Sequence, residues 1–584
     1  MKPRCSLQIN PLRFRRLQST KPFYVTTPIF YVNAAPHIGH LYSMLMADAR
    51  SRWEQMHPSR SAFMLTGTDE HGLKIQTAAK KQGLEPKALV DQVAQNFKEL
   101  CSSANISYDR FMRTSDEDHV RLTQYFWRLM REKGYIYKGS HSGWYCVSDE
   151  TFYPESSTEE IEKDGKTIRI STESKHEVTY GTETNYFFKL SQFQQQLIDY
   201  LEQNPEFIKP RHRYEFILNE LTRSKLEDLS ISRPASRLQW SIEVPDDPSQ
   251  KIYVWFDALL NYLTAANFPH GFTTPNTTNY NFTTPTENIW PATHIIGKDI
   301  IRFHCIYWPI FLIAAGVELP REVIVHSHWL SSGSKMSKSL GNVVHPADIL
   351  QYYGTDPVRF FFIENSNIRE DCKFSDELLH ASRVQLLNKY FNLAMRVTSP
   401  NFNIADAVRY HHHHHHHRSN ELQEEHPEQL AELITSFQTK IDALYATMDD
   451  RFQQFDYSKA IQSWWEVVSL ANQIFQMGEP WKYARALQQE NSQDLDSVKR
   501  EMYTRLSLRY VYVAAEALRV ASILIQPVMP SLASQVLDLL KVRENKRTCE
   551  FARLGADESY GEGANDESPR PLLSKLKVRQ VAAS

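Results

Sequence analysis

The sequence predicts an α/β fold, a doubly wound parallel sheet split by an insertion and followed by an all-helical region. Three observations predict it. Strand and helix patterns alternate over residues 21–114 and again over residues 249–374, as is typical of a parallel sheet. The alternation stops over residues 115–248, which indicates an insertion. Residues 375–545 show helical periodicity almost throughout, and 584 residues are too many for one hydrophobic core.

The first half of the sheet is predicted from short apolar runs that alternate with amphipathic segments. Residues 22–27 and 62–65 have the pattern of buried strands, and residues 39–55 have apolar side chains at helical spacing. A further helix passes through Ile75 and Ala79. This strand–helix–strand–helix order predicts parallel pairing.

The insertion is predicted to contain one helix (118–133), short aromatic strands (143–146 and 186–190) and polar loops such as 159–167. The α/β pattern then resumes over residues 251–263. It continues with a strand at 293–296, a helix at 299–315 and a strand at 322–326.

The helical region is interrupted by a predicted loop at 401–425, which carries the seven histidines 411–417. Histidine runs can bind metal, but polar flanks and the lack of a shaped site favour a low-complexity loop. Residues 546–584 are polar and mixed in charge, so we expect a disordered C-terminal tail.

The first twenty residues are basic and contain no acidic residue, since the first one in the chain is Asp48. This composition predicts a mitochondrial transit peptide, with a disordered basic tail as the alternative. The six cysteines are scattered and form no C-x-x-C pair, which argues against a disulfide scaffold and a Cys-rich zinc site. The most apolar run, residues 306–317, is too short to span a bilayer.

The net charge is −3, so no overall basic field indicates nucleic-acid binding, and any RNA contact must come from local patches.

One motif with a chemical role is Pro36-His37-Ile38-Gly39-His40, which lies between the first strand and the first long helix. The amino end of a helix favours an anion, and two imidazoles one turn apart can donate to phosphate oxygens. Gly39 permits close approach to the backbone. Two structural histidines near a turn are the alternative interpretation.

A second motif, Lys335-Met336-Ser337-Lys338-Ser339, follows the last strand of the second half and is flanked by glycines. Two lysines on a small polar loop form a cationic clamp for phosphates. A solvated run of charge is the alternative.

Together these motifs resemble the two signatures of class I aminoacyl-tRNA synthetases, and further segments narrow the resemblance to the methionyl-tRNA synthetase family. The resemblance covers about residues 23–481. The additional segments are TTPIFYVN (26–33), TGTDEHG (66–72), YVWFDA (253–258), IGKD (296–299), RFHCIYWP (302–309) and EPW (479–481).

The resemblance implies a class I Rossmann-type catalytic domain split by a connective insertion, followed by an α-helical bundle that binds the anticodon. It implies that methionine is activated with ATP and Mg²⁺ and transferred to tRNA(Met). His37, His40, Lys335 and Lys338 are then expected to be catalytic. The expected ATP-binding residues are Gly39, Gly297, Asp299 and Lys338.

The resemblance also implies two further sets of contacts. Asp69 is expected to pair with the methionine ammonium, and aromatic rings with the thioether. The full methionine set is Ile29, Tyr31, Asp69, Trp255, Ala258, Tyr262, Ile300, Phe303, His304 and Trp308, with core packing as the alternative for Trp308. The anticodon set is Asn388, Asn392, Arg396 and Trp481, for which a solvated polar face is the alternative.

The insertion departs from many relatives, because Cys146-Val147-Ser148-Asp149 keeps one cysteine and no other lies between Cys101 and Cys305. We expect a zinc-free knuckle and no other structural metal. The expected partners are tRNA(Met), methionine and ATP, with no membrane, and we expect a monomer in the mitochondrial matrix.

Three other interpretations stay open from the sequence. A leucyl-, isoleucyl- or valyl-tRNA synthetase has a similar core but usually a larger editing insertion. A small-molecule nucleotidyltransferase shares the first motif but needs neither the second motif nor a long helical region. A non-catalytic RNA-binding factor does not require intact histidines and lysines in both motifs.

Overall fold

The computed structural model describes residues 21–146, 151–153, 155–163, 166–172, 174–270, 272, 289–331, 334–335, 344–414, 428–488 and 496–580. Its centre is a parallel sheet of six strands. In spatial order these strands are Arg110–Arg113, Ala62–Asp69, Phe23–Tyr31, Ala292–Gly297, Glu322–His326 and Ile208–Lys209. Successive strands spread in opposite directions from the pair Phe23–Tyr31 and Ala292–Gly297. That pair is the point at which doubly wound sheets bind ligands.

Helices cover this sheet, confirming the predicted doubly wound arrangement. Those of the α/β part and the insertion are Ile38–Gln55, Leu73–Gln82, Pro86–Ser103, Glu117–Glu132, Gln194–Gln203, Arg211–Arg223, Val254–Leu259, Asn261–Ala265 and Trp308–Ala315. The predicted helix at 299–315 is composite: a 3₁₀ turn at Lys298–Ile300, a π-helical turn at Phe303–Tyr307 and the α-helix Trp308–Ala315.

The insertion folds mainly as antiparallel sheets. One consists of Leu229–Ser230, Val178–Phe188, Ile136–Cys146 and Thr151–Tyr153, and another of Ser232–Pro234, Asp247–Ile252 and Glu243–Val244. The predicted loop at 159–167 is wrong, because Thr158–Lys163 and Lys166–Ser171 form a hairpin with Ile161 opposite Ile168. The Asp164-Gly165 dipeptide in the sequence between them is a strong hairpin signal that the sequence interpretation overlooked.

The insertion is also less separate than the boundaries 115–248 predict. Strand Ile208–Lys209 pairs with Glu322–His326 and so completes the main sheet. A small sheet of three strands, Ser334–Lys335, Trp329–Ser331 and Cys372–Phe374, lies at the end of the second half of the α/β part.

The C-terminal half is helical, as predicted. Its helices are Pro346–Tyr353, Thr355–Glu364, Asp376–Gln385, Asn392–Val397, Ile404–His414, Glu428–Gln453, Tyr457–Gly478, Pro480–Gln488, Ser497–Ile525 and Pro530–Leu539, with a π-helical turn at Leu386–Phe391. One apolar core runs from the helix Ile38–Gln55 into this bundle. Tyr457 donates its hydroxyl to the carbonyl of Met46 at 2.8 Å, so the bundle packs directly on the α/β part.

Two predictions about the C-terminal half are wrong. The predicted loop at 401–425 begins with the helix Ile404–His414, where the ring of His411 stacks on Tyr512 with centroids 3.8 Å apart. The tail is ordered over residues 546–580, since buried Arg519 donates to the carbonyls of Phe551 and Arg553. Near its end, Arg579 pairs with Asp376 at 2.8 Å. These partners are distant in sequence, so local polarity did not reveal the packing.

Several predictions fall outside the described residues or concern groups not found within them. The predicted leader, residues 1–20, and residues 415–417 of the histidine run lie outside the described residues. Over the part of the chain that is described, no group of three or more His, Cys, Asp or Glu side chains is placed to hold a metal ion. Within the same residues no helix is both long and apolar enough to cross a membrane.

Candidate functional site

A pocket of about 440 Å³ opens at the carboxyl ends of the two central strands. Its walls come from the first strand, the first helix, the segment after Ala62–Asp69 and the turns after Ala292–Gly297. Thirteen of the predicted residues line it together: Ile29, Tyr31, His37, Gly39, His40, Asp69, Trp255, Ala258, Tyr262, Gly297, Asp299, Ile300 and His304.

The two histidines of the first motif share one arrangement at the amino end of the helix Ile38–Gln55. His37 is the N-cap, and its Nδ1 accepts from the backbone N–H of Gly39 at 3.0 Å. The Nδ1 of His40 accepts from the backbone N–H of His37 at 3.1 Å, and the rings stack 3.8 Å apart. A Cβ atom at Gly39 would lie 2.8 Å from Cε1 of the His37 ring, so a larger residue at this position would displace that ring.

This hydrogen bonding places the proton of each neutral ring on Nε2. Because both Nδ1 atoms accept, both Nε2 atoms carry hydrogen and are donors. Burial, and secondarily the neighbouring His37, hold the pKa of His40 well below its usual value, so its ring is neutral at physiological pH. Because the pair lies at the positive end of the helix Ile38–Gln55, its two Nε2–H groups form a donor surface suited to phosphate oxygens.

The floor of the pocket is lined by polar rings whose hydrogen bonds are satisfied within the protein. Tyr262 donates its hydroxyl to Nε2 of His304 at 2.7 Å, and Nδ1–H of His304 donates to the carbonyl of Ile300 at 3.0 Å. Burial lowers the pKa of His304 to about 4. The floor is therefore neutral and polarizable, which suits an apolar or thioether side chain.

Two predicted members of the methionine set lie behind the lining. Phe303 stacks on Trp255 with centroids 3.6 Å apart. Trp308 is fully buried and donates its indole N–H to Nε2 of His294 at 3.1 Å. Trp308 therefore packs in the core behind the pocket lining, and its predicted contact with methionine stays a prediction.

Asp69 ends the second strand and lies on the pocket wall, 6% exposed. The segment that follows it is held on two sides. Trp240, from the return of the insertion, donates its indole N–H to the carbonyl of Glu70 at 2.5 Å. His71 bonds through Nδ1 to Asp257 at 2.6 Å, and the other oxygen of Asp257 meets Nε2 of His119 at 2.7 Å. This buried histidine–aspartate–histidine cluster links both walls of the pocket to the insertion.

The sequence interpretation missed several lining residues. The segment His326, Ser327, His328 and Trp329 continues from the strand Glu322–His326, and Lys74 follows Asp69 on the next helix. The position of 326–329 after a parallel strand was the available signal, since ligands bind at such ends. Burial lowers the pKa of His326 to about 4, and its Nε2 accepts from Ser43 at 2.8 Å.

The second motif is only partly described. Lys335 belongs to the strand Ser334–Lys335, which pairs with Trp329–Ser331 directly after the pocket-lining segment. Lys338 lies outside the described residues, so its predicted role stays a prediction.

A second concave surface of about 480 Å³ lies in the helical half. It is lined by all four residues predicted to contact the anticodon: Asn388, Asn392, Arg396 and Trp481. The guanidinium of Arg396 lies 5.1 Å from the ring centre of Trp481 and 4.8 Å from that of Phe475. Helix Tyr457–Gly478 adds Asn472 and Phe475, which the sequence interpretation missed.

Comparison with known proteins agrees with this geometry. The family profile described as tRNA synthetases class I (M) matches residues 23–398. A mitochondrial methionine–tRNA ligase of Candida albicans is 58% identical over 98% of this chain and 99% of its own length. A mitochondrial methionine–tRNA ligase of Homo sapiens is 40% identical over 90% and 85%, respectively.

A solved structure is similar over nearly the whole chain. Mycobacterium tuberculosis methionyl-tRNA synthetase in complex with methionyl-adenylate matches with a TM-score of 0.78 and 35% identity, over 93% of this chain and 97% of that one. The chain therefore belongs to the methionine–tRNA ligase family of class I tRNA synthetases.

Proposed function

We propose that this protein is a mitochondrial methionine–tRNA ligase that works in the matrix. In the first step a carboxylate oxygen of methionine attacks the α-phosphorus of ATP, and the bond to the β-phosphate breaks to release pyrophosphate. In the second step the terminal ribose hydroxyl of tRNA attacks the methionyl carbonyl, and AMP leaves. The observation that carries the proposal is one pocket that combines the His37–His40 donor surface with Asp69 and a neutral aromatic floor.

The residues of this chain act by positioning and by charge stabilisation. Nε2–H of His37 and of His40 donates to phosphate oxygens as negative charge develops in the transition state. Lys335 and Lys338 neutralise the departing pyrophosphate, and Gly297 and Asp299 hold the adenosine. Magnesium supplies charge neutralisation when it accompanies ATP. The pocket has the carboxylates of Asp69 and Asp299 and no cluster of three ligands among the described residues, which fits a metal held chiefly by phosphates and water.

The methionine side chain is held without a specific hydrogen bond to sulfur. Asp69 binds the ammonium group, and the side chain lies between Tyr31, Trp255 and the Tyr262–His304 floor. Because Tyr262 and His304 satisfy each other, the floor offers no unpaired donor to reward a polar competitor. Helix surfaces bearing Asn388, Asn392 and Arg396 read anticodon bases, with one base stacked near Trp481.

Amino-acid-dependent ATP–pyrophosphate exchange tests the proposal. Purified protein should support exchange with methionine or a close analogue alone among the twenty amino acids, and should charge tRNA(Met). Exchange with leucine, isoleucine or valine but not methionine would refute it. Import tests the compartment separately: removal of residues 1–20 should leave exchange intact and abolish mitochondrial import.

A further inference from the structure

The side-chain amide of Asn472 is held in one orientation at the wall of the anticodon pocket. Its Nδ2 donates to the backbone carbonyls of Lys389 at 3.0 Å and Val468 at 2.8 Å. Both partners are acceptors, so the reverse orientation would place three oxygen atoms together. The carbonyl oxygen Oδ1 consequently points away from these partners, and no described residue donates to it.

Asn472 differs in this respect from the other polar groups of the pocket. Arg396 has donors only and directs one to Gln476 at 3.3 Å. Asn388 and Asn392 are exposed, so each amide can turn to donate or to accept. Asn472 is half-buried and anchored to the π-helical turn Leu386–Phe391, between those two asparagines. The protein thus presents a hydrogen-bond acceptor of fixed direction beside flexible partners.

We propose that Oδ1 of Asn472 accepts a hydrogen bond from the 4-amino group of cytosine or the 6-amino group of adenine in the anticodon, and so selects that base against uracil or guanine, which carry a keto oxygen at the same position. This inference rests on the proposed anticodon role of the pocket. The methionine codon AUG pairs with the anticodon CAU, whose first two bases both carry an amino group. Replacing cytosine by uracil, or adenine by guanine, exchanges that amino donor for a keto acceptor.

The chemistry makes the contact discriminating. A keto oxygen facing the fixed Oδ1 leaves two acceptors opposed and unpaired. Rotation of the amide cannot relieve this, because it would break both bonds to the Lys389 and Val468 carbonyls. An unpaired polar group of this kind costs on the order of a tenfold to a hundredfold in equilibrium.

The experiment is a double-mutant cycle that combines a substitution in the full-length protein with a base change in the tRNA. One set of tRNA(Met) transcripts carries the normal anticodon, and two others carry a single base that lacks only its amino group, pyrimidin-2-one for cytosine or purine for adenine. Charging kcat/KM is measured for the unaltered protein, for Asn472→Ala and for the control Gln473→Ala, whose exposed side chain does not line the pocket.

We expect loss of one of the amino groups to lower kcat/KM about tenfold or more in the unaltered protein and in Gln473→Ala. The same loss should have almost no further effect in Asn472→Ala, because the contact is already gone. ATP–pyrophosphate exchange should be unchanged in all three proteins. Since the readout is this non-additivity, a general loss of stability in Asn472→Ala does not imitate it.

Two outcomes distinguish the possible failures. If both amino deletions impair charging equally in Asn472→Ala and in the unaltered protein, Asn472 does not read the base and the inference is overturned, while the anticodon role survives. If no anticodon change affects charging even in the unaltered protein, the inference and the proposed anticodon role both fail.

Discussion

At the scale of single residues, most of the chemistry depends on which nitrogen of an imidazole carries its proton. In the candidate active-site pocket, backbone N–H groups donate to Nδ1 of His37 and His40, so the proton of each neutral ring is on Nε2. The opposite holds for His304, whose Nδ1–H is bound to the carbonyl of Ile300 and whose Nε2 accepts from Tyr262. The same type of side chain therefore offers a hydrogen-bond donor at the helix end, where we propose that phosphate binds, and a neutral packing surface on the floor.

The first prediction concerns the donor role of His37. His37→Ala should lower the rate of methionine-dependent ATP–pyrophosphate exchange by about a hundred- to a thousandfold, because one preorganised donor to the transition state is lost. His37→Asn keeps an oxygen that can cap the helix and an amide N–H that can donate, so it should retain more activity. If both variants fold normally and lose exchange activity equally, an amide cannot replace the imidazole as the donor at this position.

The second prediction separates the two pockets. Trp481→Ala should leave exchange close to normal and reduce tRNA charging by roughly tenfold to a hundredfold, since a stacked base contributes about 1–3 kcal/mol. Circular dichroism must first show a folded bundle, because Trp481 also contacts Phe475. A comparable loss of exchange and charging in a folded variant would contradict the anticodon role.

At the scale of elements, hydrophobic periodicity predicted the strands and helices whose residues carry that pattern within their own segment. The strand Glu322–His326 has the predicted bounds, and the first helix begins one residue before its predicted start. Patterns that depend on distant partners were missed: two residues suffice for Ile208–Lys209 only because Glu322–His326 lies beside them. For the same reason the pocket residues 326–329 and the ordered tail emerge only in three dimensions, whereas the motif residues were identifiable because their resemblance is local.

The third prediction concerns the cluster that joins three elements. Asp257→Asn puts an NH₂ donor against one of two imidazole N–H groups, which weakens the link between the Asp69 segment and the helix carrying Trp255. We expect KM for methionine to rise about tenfold or more, from a hydrogen-bond loss of about 1–3 kcal/mol, with a smaller change in KM for ATP. Arg121→Ala is the control, since its ion pair with Glu117 is exposed on the same helix as His119. Equal changes in both KM values would indicate general damage.

At the scale of the whole molecule, one continuous core joins the parallel sheet to the C-terminal helical bundle. Arg359 is fully buried and donates to Asp48 on the first catalytic helix and to the carbonyls of Pro527 and Val528 in the bundle. The ordered tail adds a second connection, because Arg579 pairs with Asp376 and its backbone N–H donates to Tyr353. The parts of the chain that carry the two pockets therefore pack on each other through this core and through the tail.

The α/β part contains several buried imidazoles that burial keeps neutral, which leads to the fourth prediction. Burial lowers the pKa of His304 and of His326 to about 4, and it lowers those of His40 and His294 as well. An unfolded histidine takes up its proton near pH 6.5. Between pH 6.5 and the pKa of the folded histidine, the unfolded chain binds more protons than the folded chain. The contribution of each such histidine to the free energy of unfolding is therefore fully present above pH 6.5 and is lost as the pH falls toward 4.

Thermal unfolding between pH 7.5 and pH 5 should therefore show a falling midpoint, with each such histidine contributing up to about 1.4 kcal/mol per pH unit below 6.5. Asp257 affects stability at lower pH. Although the carboxyl is buried, its paired histidines hold its pKa below the usual value, so its contribution to the free energy of unfolding is lost only below about pH 4. His326→Gln removes one titrating ring, so its midpoint should fall less steeply over the same range, even if it starts lower at pH 7.5. Identical slopes for His326→Gln and the unaltered protein would show that His326 does not contribute to this pH dependence.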